Sequence, residues 1–193
     1  MHAARQLIEG KPVVLVIEDG TVVAPCLPLL LAACREHRVP VIASRGAKTA
    51  TAGAPSTSTA ALAAGDYYLI SRPRDSAFFA TSLDVLLREL DAQTLLVAGG
   101  QTSVSVHYTF VDAHQHDYFC RVIEDSMSGS SPRAHEAGLA AMEYLQTGAR
   151  RTSSEVIAAL GASPKVSAAT TVRTASTVCP ALINGAASAA NAS

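Results

Sequence analysis

Five short apolar runs, each followed by a stretch with helical spacing, constrain this chain more than any other feature. The runs are Val13 to Ile17 (VVLVI), Val39 to Ser44 (VPVIAS), Tyr67 to Ile70 (YYLI), Thr94 to Ala98 (TLLVA) and Tyr118 to Ile123 (YFCRVI). Each is continuous rather than alternating, the pattern of a strand covered on both faces. Between them, Pro25 to His37 sets Leu27, Leu30, Leu31 and Cys34 at helical spacing, with Pro25 and Pro28 tolerable only near the first turn. Ser82 to Leu90 puts four leucines on one face behind a Ser82 cap, and Ser103 to His114 reads as a third helix. Ser131 to Gln146, capped by Ser131 or Ser130, and a short helix from Ser153 or Ser154 to before Gly161 complete the set. Such alternation predicts βαβ units with right-handed crossovers. The expected fold is a three-layer α/β/α sandwich with a mainly parallel five- or six-stranded, Rossmann-like sheet.

Composition narrows the function. Hydrophobic residues make up 49% and charged residues 16% of 193 positions, which suits one domain with a buried parallel sheet. A net charge of −1 and scattered Lys and Arg give no footprint for nucleic acid or a membrane surface. No apolar run reaches the roughly 18 residues of a membrane span. MHAARQLIEGKP lacks a signal-peptide apolar region, so a cytoplasmic location is expected. Cys26, Cys34, Cys120 and Cys179 show no CxxC pair and read as small buried hydrophobes. His114 and His116 would face different ways on a helix, and neither a metal nor a cofactor is expected. There is no GxGxxG and no GxxxxGK[ST], which argues against a nucleotide binder.

Two segments stand apart. Gly46 to Ala64 is rich in Ala, Ser, Thr and Gly and reads as a long loop. The expected domain covers 1–165, and 166–193 reads as an Ala/Ser/Thr-rich tail. Its apolar piece, Val178 to Ile183, could instead dock on a neighbouring subunit of a homo-oligomer.

Ligands of open parallel sheets bind outside the carboxyl ends of the strands. Glu18 and Asp19 close the first run, Arg72 follows Tyr67–Ile70, and Ser105 follows Thr94–Ala98 at a helix start. An acid, a cation and a hydroxyl at one sheet edge make a candidate site, although polar residues commonly cap strands without function.

The motifs around these positions occur in a familiar order. PVVLVIEDG, ISRPRDSAF, TSLDVLLREL, LLVAGGQTSVSV and VIEDSMSGSSPRAHEAGLAAM, from about Pro12 to Leu160, resemble the isochorismatase-like cysteine hydrolases. The resemblance implies a small-molecule hydrolase with an aspartate, a lysine and an attacking cysteine. Those places fall at Glu18, Arg72 and Ser105, while Arg74, Ser76, Ala77, Phe78, Gly99, Thr102 and His135 match the family pattern. Asp19, Gly100, Gln101 and Phe78 are the expected ligand-binding residues around them. The resemblance also implies a non-proline cis peptide at Gly100–Gln101.

The three departures alter the chemistry. A cysteine thiol, with a reference pKa of about 8.5, yields a strong nucleophile, whereas a serine hydroxyl needs a well-placed base. His107 lies about 200° around a helix from Ser105 and should point elsewhere. Arginine stays protonated, so Arg72 cannot relay a proton; it can neutralise an acid or hold an anionic ligand. Glu18 is the expected acid, paired with Arg72, because the apolar run continues up to it. Were the strand one residue longer, Asp19 would take that place on the opposite face. Two functions are open: a hydrolase with an atypical Glu18/Arg72/Ser105 site, or a catalytically silent relative that binds a small ligand or a partner.

Overall fold

A computed structural model describes residues 7–20, 24–46, 62 and 65–162. Most of the Gly46–Ala64 segment, the tail from 166 and Cys179 lie outside the described residues. Six strands form one sheet, and every pairing is parallel. They are β1 (Lys11–Glu18), β2 (Val41–Gly46), β3 (Tyr68–Arg72), β4 (Ala92–Gly99), β5 (Phe119–Ile123) and the two-residue β6 (Arg150–Arg151). The spatial order is β3-β2-β1-β4-β5-β6. The chain therefore builds outward from β1 through β2 to β3, then returns to lay β4 against the other side of β1. That reversal creates a switch point between β1 and β4, where open α/β sheets hold ligands.

Five helices cover the two faces among the described residues. They are α1 (Leu27–Glu36), α2 (Leu83–Glu89), α3 (His107–Gln115), α4 (Pro132–Leu145) and α5 (Ser153–Ala162). Strand parity decides which layer each residue joins. Val13, Leu15 and Ile17 pack with Leu83 and Leu87 of α2, Phe110 of α3, and Leu139 and Met142 of α4. Val14 and Val16 pack with Leu27, Leu30, Leu31 and Cys34 of α1, and with Val156 and Leu160 of α5. Both faces of β1 are thus dry, which is why its sequence shows no alternation.

Local chemistry sets the helix ends. Pro132 opens α4, and Ser131 Oγ accepts from Ala134 N at 3.1 Å. Ser82 precedes α2 without a side-chain cap, and Thr81 Oγ1 accepts from Leu83 N instead, at 3.2 Å. The third expected helix divides in two: a π-helical turn over Thr102–Val106, then α3. Its wide loop is closed by Val106 N–H donating to Gln101 O at 3.2 Å. One strand run hides a cation. Arg121 in β5 is fully buried, lies 3.6 Å over the Phe119 ring, and donates to Leu7 O and Cys120 O at 3.1 and 2.9 Å. Burial pushes its pKa down to about 10.

Candidate active site

Asp19 is where the site converges. It follows β1 on the face shared by Val13, Leu15 and Ile17, the side covered by α3 and α4. Ser105 Oγ donates to its Oδ2, and Gln101 N–H donates to the same oxygen at 2.9 Å. Arg72 Nη2 donates to its Oδ1. Three donors on one carboxylate make Asp19 the acceptor hub at the switch point. Ser105 and Arg72 are 2% and 3% exposed, and the Asp19 side chain is 20% exposed.

Glu18, the expected acid, does not occupy this place. Its carboxylate accepts from Arg45 Nε at 2.9 Å, and Arg45 is its register partner on β2. Arg72 meets Glu18 only at the main-chain carbonyl, 3.3 Å from Nη2. The expected Glu18–Arg72 side-chain pair is therefore replaced by Asp19–Arg72. The cause is strand geometry: successive side chains of β1 point to opposite faces, and Glu18 shares the face of Val14 and Val16.

Arg72 is built in rather than held out for a ligand. Nη1 donates to Arg74 O at 2.9 Å and Asp75 O at 3.0 Å, while Nη2 serves Asp19 and Glu18 O. Its Nε, like Ser44 Oγ on the neighbouring strand, is buried without a protein partner. The loop after Arg72 is tied to α3 by Ser76 Oγ donating to Asp112 and by Ala77 N–H donating to Thr109 Oγ1 at 3.0 Å. These ties turn Phe78 away from Asp19. Its ring stacks on His116 at 5.2 Å and meets Tyr118 at 6.1 Å, beyond the far end of α3 from Ser105. Phe78 is a packing residue here, not part of the ligand cluster expected for it.

The turn carrying Ser105 depends on two glycines. Gly99 and Gly100 have φ of +71° and +66°, a region that favours glycine. A Cβ on Gly99 would lie 2.6 Å from Ile17 O, and one on Gly100 would lie 2.6 Å from Ile17 Cγ2 and 3.1 Å from Asp19 Oδ2. Close approach of β4 to β1 at this level therefore requires both. The Gly100–Gln101 peptide is trans, in place of the expected cis bond. Thr102 N–H donates to Ser128 O at 2.9 Å, so the N–H of the residue before the π-turn, Gln101, goes to Asp19 and that of its first residue goes to Ser128.

Among the described residues no histidine is a hydrogen-bond partner of Ser105, and the His107 ring sits edge-on to Tyr108. The described thiols do not replace the missing cysteine. Burial pushes Cys34 and Cys120 up to about 12, so both stay protonated. Among the described residues no group of three His, Cys, Asp or Glu side chains gathers as a metal site, and no helix is long and apolar enough to cross a membrane. A cavity of about 550 Å³ lies at the opposite edge of the sheet, beside Gln93, His114, His116 and Gln146. It is remote from Asp19.

Sequence comparison matches residues 5–156 to the isochorismatase domain model. The isochorismatase family protein YaaI of Bacillus subtilis is 30% identical over 92 residues, 48% of this chain and 50% of that protein. Maleamate amidohydrolase of Pseudomonas putida is 37% identical over 71 residues, 37% of this chain and 33% of the enzyme. The chain thus spans half or less of the length of these curated relatives. An isochorismatase family protein from Desulfovibrio vulgaris superposes with a TM-score of 0.69 at 23% identity, over 79% of this chain and all of that one, which establishes a shared fold.

Proposed function

The chain belongs to the isochorismatase family, and from that premise we propose that it is a small-molecule hydrolase acting through Asp19, Arg72 and Ser105. The substrate class is a small amide or related acyl compound, in line with the amidohydrolase among its relatives. The observation that carries the reading is the Ser105 hydroxyl donating to Asp19 Oδ2 while Arg72 holds the other oxygen. A nucleophile and a base within hydrogen-bond reach, the base oriented by a third group, is the arrangement of covalent catalysis.

Each step balances on these side chains. Ser105 Oγ attacks the carbonyl carbon as its proton passes to Asp19 Oδ2. The tetrahedral adduct collapses, the C–N bond breaks, and Asp19 returns the proton to the leaving nitrogen. Water then attacks the Ser105 ester, giving its proton to Asp19, which restores the Ser105 hydroxyl as the carboxylic acid leaves. Arg72 moves no proton; it orients Asp19 through its hydrogen bond to Oδ1. A serine hydroxyl is a weaker nucleophile than a thiolate, so turnover is slow beside that of a thiolate enzyme.

The test is a panel of small amides and activated esters, read by rate and by intact-protein mass. Activated esters should leave an acyl group on Ser105, and Ser105→Ala and Asp19→Asn should abolish both adduct and turnover. Turnover that survives both substitutions would overturn the proposal.

A further inference from the structure

We propose that His135 is a positioning residue of the reaction centre: as its Nδ1–H tautomer it donates to Thr102 and locks the π-turn that presents Ser105 to Asp19. That this centre is catalytic rests on the hydrolase reading above; the hydrogen bonds of Thr102 and His135 stand without it.

Thr102 Oγ1 has two close neighbours, Ser128 O at 3.0 Å and His135 Nδ1 at 2.7 Å. A hydroxyl carries one hydrogen. A carbonyl oxygen can only accept, so the hydroxyl hydrogen goes to Ser128 O. His135 Nδ1 must then be the donor, which fixes the tautomer and leaves Nε2 with its lone pair.

The clamp acts at the start of the turn. Thr102 is its first residue, and Thr102 N–H also goes to Ser128 O at 2.9 Å. Gln101, just before it, bridges to Ser128 and gives its N–H to Asp19. Three residues beyond Thr102 the same turn delivers Ser105 to Asp19. Helix α4 sits directly on this segment. A Cβ on Gly138 would lie 3.3 Å from Ser103 Cα and from Thr102 Cγ2. His135 itself is seated tightly, since a Cβ on Gly129 would come within 2.8 Å of its Cβ and N. The backbone that carries the imidazole is therefore packed closely on the Ser128–Gly129 segment while α4 stays docked.

Two measurements test this on the full chain, and neither needs turnover. The first is ¹⁵N NMR of the histidine side chains at neutral pH, with His135 assigned from His135→Asn. The Nδ1–H pattern is expected; an Nε2–H pattern overturns the proposal. The second uses a Ser105→Cys background and follows iodoacetamide alkylation of the introduced thiol against pH, site by site by mass spectrometry. His135→Ala and Thr102→Val should each change the alkylation rate by about tenfold or move its pH midpoint by about one unit. His135→Asn, whose amide N–H can reach the same hydroxyl, should stay close to the parent. Falling melting temperature with an unmoved pH profile in the Ala and Val variants would mean a merely structural role and overturn the proposal. If His135→Ala does not fold, Thr102→Val and His135→Asn decide it. Failure of the hydrolase reading shows instead as wild-type protein that neither turns over substrate nor acylates Ser105.

Discussion

Glu18 and Asp19 are consecutive carboxylates on opposite faces of the sheet. Glu18 accepts from Arg45 Nε at 2.9 Å on the side covered by α1 and α5, and Asp19 gathers Arg72, Gln101 N–H and Ser105 on the other. One residue along the chain separates a structural ion pair from the candidate base.

Their substitutions should therefore part company. Asp19→Asn is expected to lower turnover by about 100-fold or more, because it removes the proton acceptor. Glu18→Gln should leave turnover nearly unchanged and lower unfolding stability by about 1–3 kcal/mol, the scale of a hydrogen bond to a charged group. Steady-state rates and urea denaturation of both variants check this.

Restoring a thiolate mechanism should need two changes, not three. Ser105→Cys supplies the nucleophile, and Arg72→Lys supplies a cation that can exchange a proton. The pair should exceed either single change on a small-amide panel. Adding Glu18→Asp should give nothing more, since that carboxylate faces Arg45.

Gly100→Ala should be costly in both respects. Its φ of +66° is strained for alanine, and the new Cβ would press on Ile17 and Asp19. A loss of about 2 kcal/mol or more is expected, with turnover falling in the fraction that stays folded. Thermal unfolding and rate at fixed folded concentration measure the two effects separately.

Alkaline pH should destabilise the fold. Burial raises Cys34 and Cys120 from 9.0 to about 12, and burial with a hydrogen bond to Asp84 raises Tyr118 from 10.0 to about 12. Above the unfolded values the unfolded chain holds fewer protons at these groups than the native one, so stability falls with rising pH. The contribution is complete below pH 9 for the thiols and below pH 10 for Tyr118, and is lost by about pH 12. Denaturation midpoints taken from pH 8 upward should decline. Cys34→Ala and Cys120→Ala should flatten the decline from pH 9, and Tyr118→Phe only above pH 10.

The layers were legible because buried parallel strands are written as unbroken apolar runs. Val13 to Ile17, Thr94 to Ala98 and Tyr118 to Ile123 each lie within or overlap an observed strand. The same property hid the acid. With both faces of β1 apolar, nothing in VVLVI tells which of the next two residues turns toward α3 and α4. Arg45, which claims Glu18, became its neighbour through strand register rather than through any motif. Two-residue β6 carries no apolar run to announce it. In sequence the π-turn reads as ordinary helix, since its distinction lies in a wider hydrogen-bonded loop and not in residue type. Phe78 went astray for a related reason: Ser76 and Ala77 commit the loop to α3, a contact made across the fold.

The switch point between β1 and β4 also governs when the site can exist. Asp19 and Ser105 follow the carboxyl ends of the adjacent strands β1 and β4 but are separated by 86 positions in the chain. Closing a flexible loop of that length costs about 4 kcal/mol beyond a constant term. The β1–β4 pairing that offsets it runs from Lys11–Ala92 to Ile17–Gly99 and spans the middle of the sheet. The Asp19–Ser105 contact is thus a long-range one: β1, β2 and β3 hold Asp19 and Arg72, and only β4 and the turn after it bring the hydroxyl to them. A nascent chain can make that contact only once β4 lies beside β1.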